Sequence, residues 1–165
     1  MSSRFQRITP FLWFADQAEQ AANFYVSVFD NSRIVTTTQY TKESSQASGQ
    51  PEGAVMTVDF ELDGQTITAL NGGPVFRFTE AVSLVVHCRS QDEVDHYWSK
   101  LGEGGDENAR QCGWLKDRFG LSWQVVPDEM IRLLTDPDPA KVARVHGAIM
   151  QMKKLDLNEL RKAAA

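Results

Sequence analysis

The first two-thirds of the chain is one pattern written twice. A short apolar run, Phe11-Leu-Trp-Phe-Ala-Asp16, leads to Phe24-Tyr25, and a second, Leu84-Val-Val-His-Cys-Arg89, leads to Tyr97-Trp98. Behind each run the apolar residues recur at helical spacing. Ala21, Phe24, Tyr25 and Val28 fall at i, i+3, i+4 and i+7, and so do Val94, Tyr97, Trp98 and Leu101. Each copy therefore begins as a strand and an amphipathic helix, then continues into strands and a tight hairpin. Two such half-sheets can curl around a shared cleft, and clefts are where small molecules bind.

In the first copy, residues 8–14 read as a nearly continuous apolar strand, expected to be buried on both faces. Asp16 and Glu19 form a capping-box pattern at the start of a helix over residues 17–29. Residues 32–40, rich in Val and Thr, read as a strand. Residues 41–53 are Ser, Gln, Gly and Pro in character and read as a long loop, a lid in some folds. Asp63-Gly64 is a strong hairpin signal between strands at 54–62 and 65–70. Alternation puts Val58, Phe60, Leu62, Ile67 and Ala69 on one face, and Thr57, Asp59, Glu61, Thr66 and Thr68 on the other.

The second copy repeats the plan: a strand at 82–88, a helix capped by Ser90 and Glu93 and ended by residues 102–105, and a hairpin of 110–116 and 121–126 around Asp117-Arg-Phe-Gly120. Trp114 and Trp123 are expected to pair across it and face the apolar layer. From residue 128 the pattern is helical, with Asp138-Pro139 opening one segment and a basic amphipathic tail following. The tail has no counterpart in the first copy and is expected to pack across the repeat or onto a second subunit.

Composition narrows the function. With 165 residues the chain builds one well-buried core, and its net charge of -5 leaves no electrostatic footprint for nucleic acid. No apolar run is long enough to span a bilayer, and Met1-Ser-Ser-Arg-Phe-Gln-Arg lacks the apolar stretch of a signal peptide. Cys88 and Cys112 do not make a secreted disulfide framework, so a cytoplasmic location is expected, without nucleic-acid or membrane partners.

These residues carry a family likeness. The paired βαβββ pattern resembles the vicinal-oxygen-chelate superfamily, which includes glyoxalase and bleomycin-resistance proteins. Within it, several segments are similar to the PhnB-like group labelled 3-demethylubiquinone-9 3-methyltransferase. They are Ile8-Thr-Pro-Phe-Leu-Trp-Phe, Phe24-Tyr-Val-Ser-Val-Phe, Cys112-Gly-Trp-Leu-Lys-Asp-Arg-Phe-Gly-Leu-Ser-Trp-Gln-Val-Val-Pro127 and Met150-Gln-Met-Lys-Lys-Leu-Asp-Leu. The resemblance implies an α+β fold: two tandem βαβββ modules, about 8–73 and 82–127, forming curved mixed sheets around a cleft. Residues 128–165 would add C-terminal helices to the same domain. It also implies a homodimer. The methyltransferase label fits poorly, because Gly72-Gly73-Pro74 opens no helix of the kind that binds a nucleotide cofactor.

Metal-dependent members of the superfamily take His, Gln or Glu ligands from the first and last strands of each copy. That pattern falls here on Pro10, Ser83, Thr68 and Gln124, and a one-residue slip supplies nothing better. Neither a metal site nor a cofactor is expected, since one neutral amide cannot hold a divalent ion.

The candidate residues follow. His87 shares a strand face with Ser83 and is a candidate general base, with Asp59, opposite Thr68, as its possible acid–base partner. Each also has a plain reading, His87 satisfying a backbone group and Asp59 standing on a solvated face. Gln124, Thr68, Asn71, Trp13 and Phe14 are candidate ligand-binding residues, with Phe76 a further aromatic. Three functions stay open: a small organic molecule bound in a metal-free cleft, with or without chemistry; a metal-dependent isomerase, lyase or dioxygenase; and a drug-sequestering resistance protein. The methyltransferase comes last.

Overall fold

In the computed structural model, which describes residues 5–165, the chain falls into two compact units that meet in sequence between Arg77 and Phe78. Residues 1–4 of the N-terminal stretch read above lie outside the described residues.

The first unit runs β1 (Phe11–Phe14), α1 (Ala18–Val28), β2 (Arg33–Gln39), α2 (Lys42–Ser48), β3 (Val55–Leu62) and β4 (Gln65–Asn71). Its sheet has the order β1-β4-β3-β2, with β1 parallel to β4 and the other pairs antiparallel. Asp63 (φ 46°) and Gly64 (φ 78°) both adopt the left-handed region, as a two-residue hairpin of this kind requires, and Leu62 then pairs with Gln65. That register delivers the expected alternation. Val58, Phe60, Leu62, Ile67 and Ala69 are buried, and the Tyr25 ring of α1 stacks on Phe60 at a centroid distance of 6.1 Å.

Three expectations for this unit need correction. β1 is not buried on both faces: Leu12 and Phe14 point into the core while Phe11 is exposed, because α1 covers one side of the sheet. Asp16 does not cap α1. The helix begins after Gln17, and its Ala18 N–H is taken at 2.8 Å by Asn71 Oδ1 from the end of β4. Residues 41–53 are not a plain loop, since α2 occupies 42–48 with a Thr41/Ser44 capping box and Gly49 as its left-handed C-cap.

The second unit runs β5 (Ser83–Cys88), α3 (Gln91–Gly102), β6 (Trp114–Lys116), β7 (Ser122–Pro127), α4 (Asp128–Leu134), α5 (Pro139–Ile149) and α6 (Leu157–Ala164). Its sheet order is β5-β7-β6, with β5 parallel to β7 and β6 antiparallel to it, the same wiring as β1, β4 and β3. No described strand stands where β2 stands in the first copy, so this copy reads βαββ. A 3-10 turn at Glu107–Ala109 and a tight turn at Cys112 (φ 53°) and Gly113 (φ 85°) fill that stretch, Gln111 and Trp114 exchanging both backbone hydrogen bonds across it. The tryptophans do not pair. Trp114 stands opposite Gln124 and Leu115 opposite Trp123, so Trp123 enters the core and Trp114 lies on the other face.

The helices after β7 dock on their own unit. Val145, Ile149, Leu155 and Leu160 form a buried cluster, and the Cys112 and Gly113 N–H groups donate to the Met152 and Lys153 carbonyls at 2.8 Å. Asp138 caps α5 at the Ala140 N–H with Pro139 in the first turn, as the sequence reads. Arg161 grips Glu129 with two bonds (2.9 and 2.6 Å), holding that carboxyl below its ordinary range. With six α-helices and two mixed sheets among the described residues, the chain has the α+β fold that the resemblance implies. No described helix is long and apolar enough to cross a membrane.

The cysteines separate by environment. Cys88 is 1% exposed, and burial, with Glu93 and Asp128 adding to it, pushes its thiol up to about 12. Cys112 is only partly buried. A thiol-exchange reagent at pH 8 is expected to modify Cys112 in the native protein and Cys88 only after denaturation. Two thiols reacting at equal rates would contradict this packing. The same shift makes the fold lose stability as the pH climbs above 9, where the unfolded thiol ionises and the folded one does not.

Candidate functional site

Each sheet has one face packed on helices and a second face turned away from them, and the candidate residues divide between the two. In the first unit the register of β1, β4 and β3 brings Phe11, Thr68 and Asp59 into one row on the second face. Thr68 Oγ1 donates to Asp59 Oδ1 at 2.6 Å. Thr38 and Thr57 share a hydroxyl bond at 2.6 Å, and Arg33 pairs with Glu61 at 2.9 and 3.2 Å. No described group bonds the second oxygen of Asp59.

Trp13 stands on the same face, and its position is fixed from beneath. Its indole N–H donates to the Gly73 carbonyl at 2.9 Å, and a Cβ on Gly72 would stand 2.2 Å from its ring. Gly72-Gly73 is thus the seat of Trp13. Phe76 meets the ring edge-on at 4.9 Å and is itself exposed. An aromatic corner next to a hydroxyl–carboxylate row results. Phe14 and Asn71 have other duties. Phe14 is 3% exposed within the core, one residue out of phase with Trp13 on a period-two strand. Both ends of the Asn71 amide are engaged, Oδ1 by the Ala18 N–H and Nδ2 by the Val55 carbonyl.

In the second unit Ser83, Val85 and His87 share a face with Ser122, Gln124 and Val126 of β7. Gln124 Nε2 donates to Ser83 Oγ at 3.0 Å. His87 Nδ1 lies 3.0 Å from Asp128 Oδ1, both side chains more than half exposed. Asp128 was not among the candidates read from the sequence. Its signal was available, because parallel pairing of β5 and β7 sets Cys88 beside Pro127 and so brings residue 128 to the end of β5. Asp59 and His87, read as a possible pair, stand in different units, and each has a partner of its own.

The residues at the superfamily's ligand positions do not fit a divalent metal. Pro10 offers only its carbonyl, which accepts the Thr68 N–H at 3.0 Å, the Thr68 hydroxyl is committed to Asp59, and Ser83 and Gln124 bond each other. Among the described residues no group of three or more His, Cys, Asp or Glu side chains is placed to hold a metal ion.

Comparisons agree with this picture of the fold. The family model described as 3-demethylubiquinone-9 3-methyltransferase matches residues 6–126. A solved structure from Bacillus cereus, described as a PhnB protein, is 36% identical, covers 74% of this chain and 99% of its own, and superposes with a TM-score of 0.63. A protein from Pseudomonas aeruginosa is 19% identical over 74% of this chain and 98% of its own, with a TM-score of 0.58. A fosfomycin resistance protein from Listeria monocytogenes shares the fold at 14% identity, with 82% and 100% coverage and a TM-score of 0.53. No curated protein matches the chain. With the family model covering most of the sequence and a 36% identical structure covered over 99% of its length, the chain belongs to the PhnB-like, 3-demethylubiquinone-9 3-methyltransferase family of the vicinal-oxygen-chelate superfamily.

Proposed function

We propose that the protein binds a small organic molecule without a metal, using the second face of the first sheet. The observation that carries this reading is the Thr68–Asp59 pair beside Phe11 and Trp13. It offers a carboxylate oxygen with no described partner next to exposed aromatic surface. A ligand with a hydroxyl or ammonium donor on an apolar body matches that combination. Gln124 and Ser83 supply the corresponding polar pair on the second sheet. The same reading takes the working form to be a cytoplasmic homodimer.

Benzylamine, benzyl alcohol and toluene, titrated against protein labelled at the tryptophan indole nitrogens, test it. The two donors are expected to shift the Trp13 resonance saturably and toluene more weakly. Asp59→Ala is expected to cost about tenfold in affinity for the donors, the worth of one bond to a charged acceptor. A clear preference for benzylamine would favour the drug-sequestering reading. Stoichiometric zinc, nickel, manganese or iron in the purified protein, or donor binding indifferent to Asp59→Ala, would overturn the proposal. Sedimentation of the same samples checks the dimer.

A second reading has one observation behind it. Asp128 holds His87 Nδ1 and leaves Nε2 with no described partner, an arrangement that suits a general base removing a proton next to a carbonyl. His87→Ala with turnover unchanged would remove it.

A further inference from the structure

Ser122 sits at the start of β7, 1% exposed, and its Oγ has no hydrogen-bond partner among the described residues. A buried hydroxyl left in this state is disfavoured, because it has given up its bonds to water and gained none. The residue also lines an open cavity of about 400 Å³ beside β6, the strand that has no neighbour where β2 flanks β3 in the first unit. Trp114, Ala109 and Leu115 give this cavity a mainly apolar wall, and Cys112 lies at its side. Lys116 and Glu80 also line it, but they neutralise each other through an ion pair.

We infer that this cavity is a second binding site, for an uncharged ring compound carrying a single carbonyl or hydroxyl oxygen. The chemistry follows from the lining. A mainly apolar cavity whose charges are paired rejects ions, and its buried unsatisfied hydroxyl can donate to a carbonyl or exchange a bond with a hydroxyl. The volume lies within the range of small-molecule pockets. Ser122 shares a face of the second sheet with Ser83 and Gln124, but the site uses none of Asp59, Thr68 or Trp13, which carry the function proposed above.

Acetophenone and α-methylstyrene, which differ only by carbonyl oxygen against methylene, are the probes. Acetophenone is expected to shift the Trp114 indole resonance saturably and to bind at least about fivefold tighter than the hydrocarbon, the discrimination of one hydrogen bond. Ser122→Ala should fold at least as well as the parent, having lost only an unsatisfied group, and should erase the preference between the probes. Ser122→Leu should fill the cavity and abolish binding of both. A Trp114 resonance that does not move, or a preference that survives Ser122→Ala, overturns the inference. Movement of Trp13 without Trp114 also overturns it while leaving the first-sheet site standing.

Discussion

Replacing Asp117 by alanine is expected to destabilise the fold by about 4 kcal/mol, a fall of roughly 10 °C in Tm for a chain of this size. Asp117 is 2% exposed and organises the turn between β6 and β7. Its Oδ1 accepts the Phe119 N–H at 2.8 Å and the Leu121 N–H at 3.1 Å, while Oδ2 accepts the buried Trp123 indole N–H at 2.8 Å. Alanine leaves three donors behind, at least two of them out of reach of water. Asparagine is the sharper probe. Its amide oxygen can still serve the two backbone groups, but its NH2 then faces the indole N–H, donor against donor, so about half the loss should remain. Adding Trp123→Phe to Asp117→Asn removes that conflict, and a double-mutant cycle should show coupling of more than about 1 kcal/mol. Urea unfolding of the four proteins reads this out. Asp117→Ala within 1 kcal/mol of the parent would mean that the turn is held by something else.

This carboxylate also shows where the sequence stops being legible. Asp117-Arg-Phe-Gly120 reads at once as a turn, yet nothing local says that its first side chain is buried under a tryptophan six residues on. Local chemistry was readable wherever the partner lay within a few residues: the left-handed Asp63-Gly64 hairpin, the Asp138-Pro139 helix start, the Ser90 cap of α3. It failed where the partner is distant. α1 is capped by Asn71, 53 residues away, rather than by Asp16, so a residue read as a ligand group is committed to holding a helix. His87 meets Asp128 across 41 residues because two parallel strands end together. Period-two logic was also only as good as its phase: Trp13 and Phe14, adjacent and both aromatic, lie on opposite faces of β1. α2 was missed for another reason. Its Ser- and Gln-rich composition looks like a loop, and the helix buries none of its residues, so no apolar pattern announces it.

The replacement of superfamily ligands by Pro10, Thr68, Ser83 and Gln124 reads differently once the structure is in view. Three of the four have formed hydrogen bonds of their own, Thr68 with Asp59 and Ser83 with Gln124. Their side chains form polar pairs, one on each sheet, and so have no oxygen or nitrogen cluster to offer a divalent ion.

The second large effect is expected at Gly105. The second copy has no strand covering the outer edge of β6, and the Gly102-Glu103-Gly104-Gly105 turn after α3 lies against that edge instead. Gly105 comes so close that a Cβ built on it would stand 2.0 Å from the Lys116 carbonyl oxygen. The obstacle is backbone, which cannot swing aside as a side-chain tip can. Gly105→Ala must therefore push the turn off β6 or bend the strand, at a cost of about 3 kcal/mol. Because Lys116 lines the cavity beside Ser122, acetophenone binding should weaken in the same variant. Gly147 is the control. It lies inside α5 with nothing within 4 Å of where its Cβ would be, so Gly147→Ala should stabilise the protein by about 0.5–1 kcal/mol. Opposite signs for one chemical change at two glycines isolate the steric contact from any general effect of adding a methyl group. If both variants unfold at the parent's urea midpoint, the turn does not press on β6, and the bare edge of that strand needs another explanation.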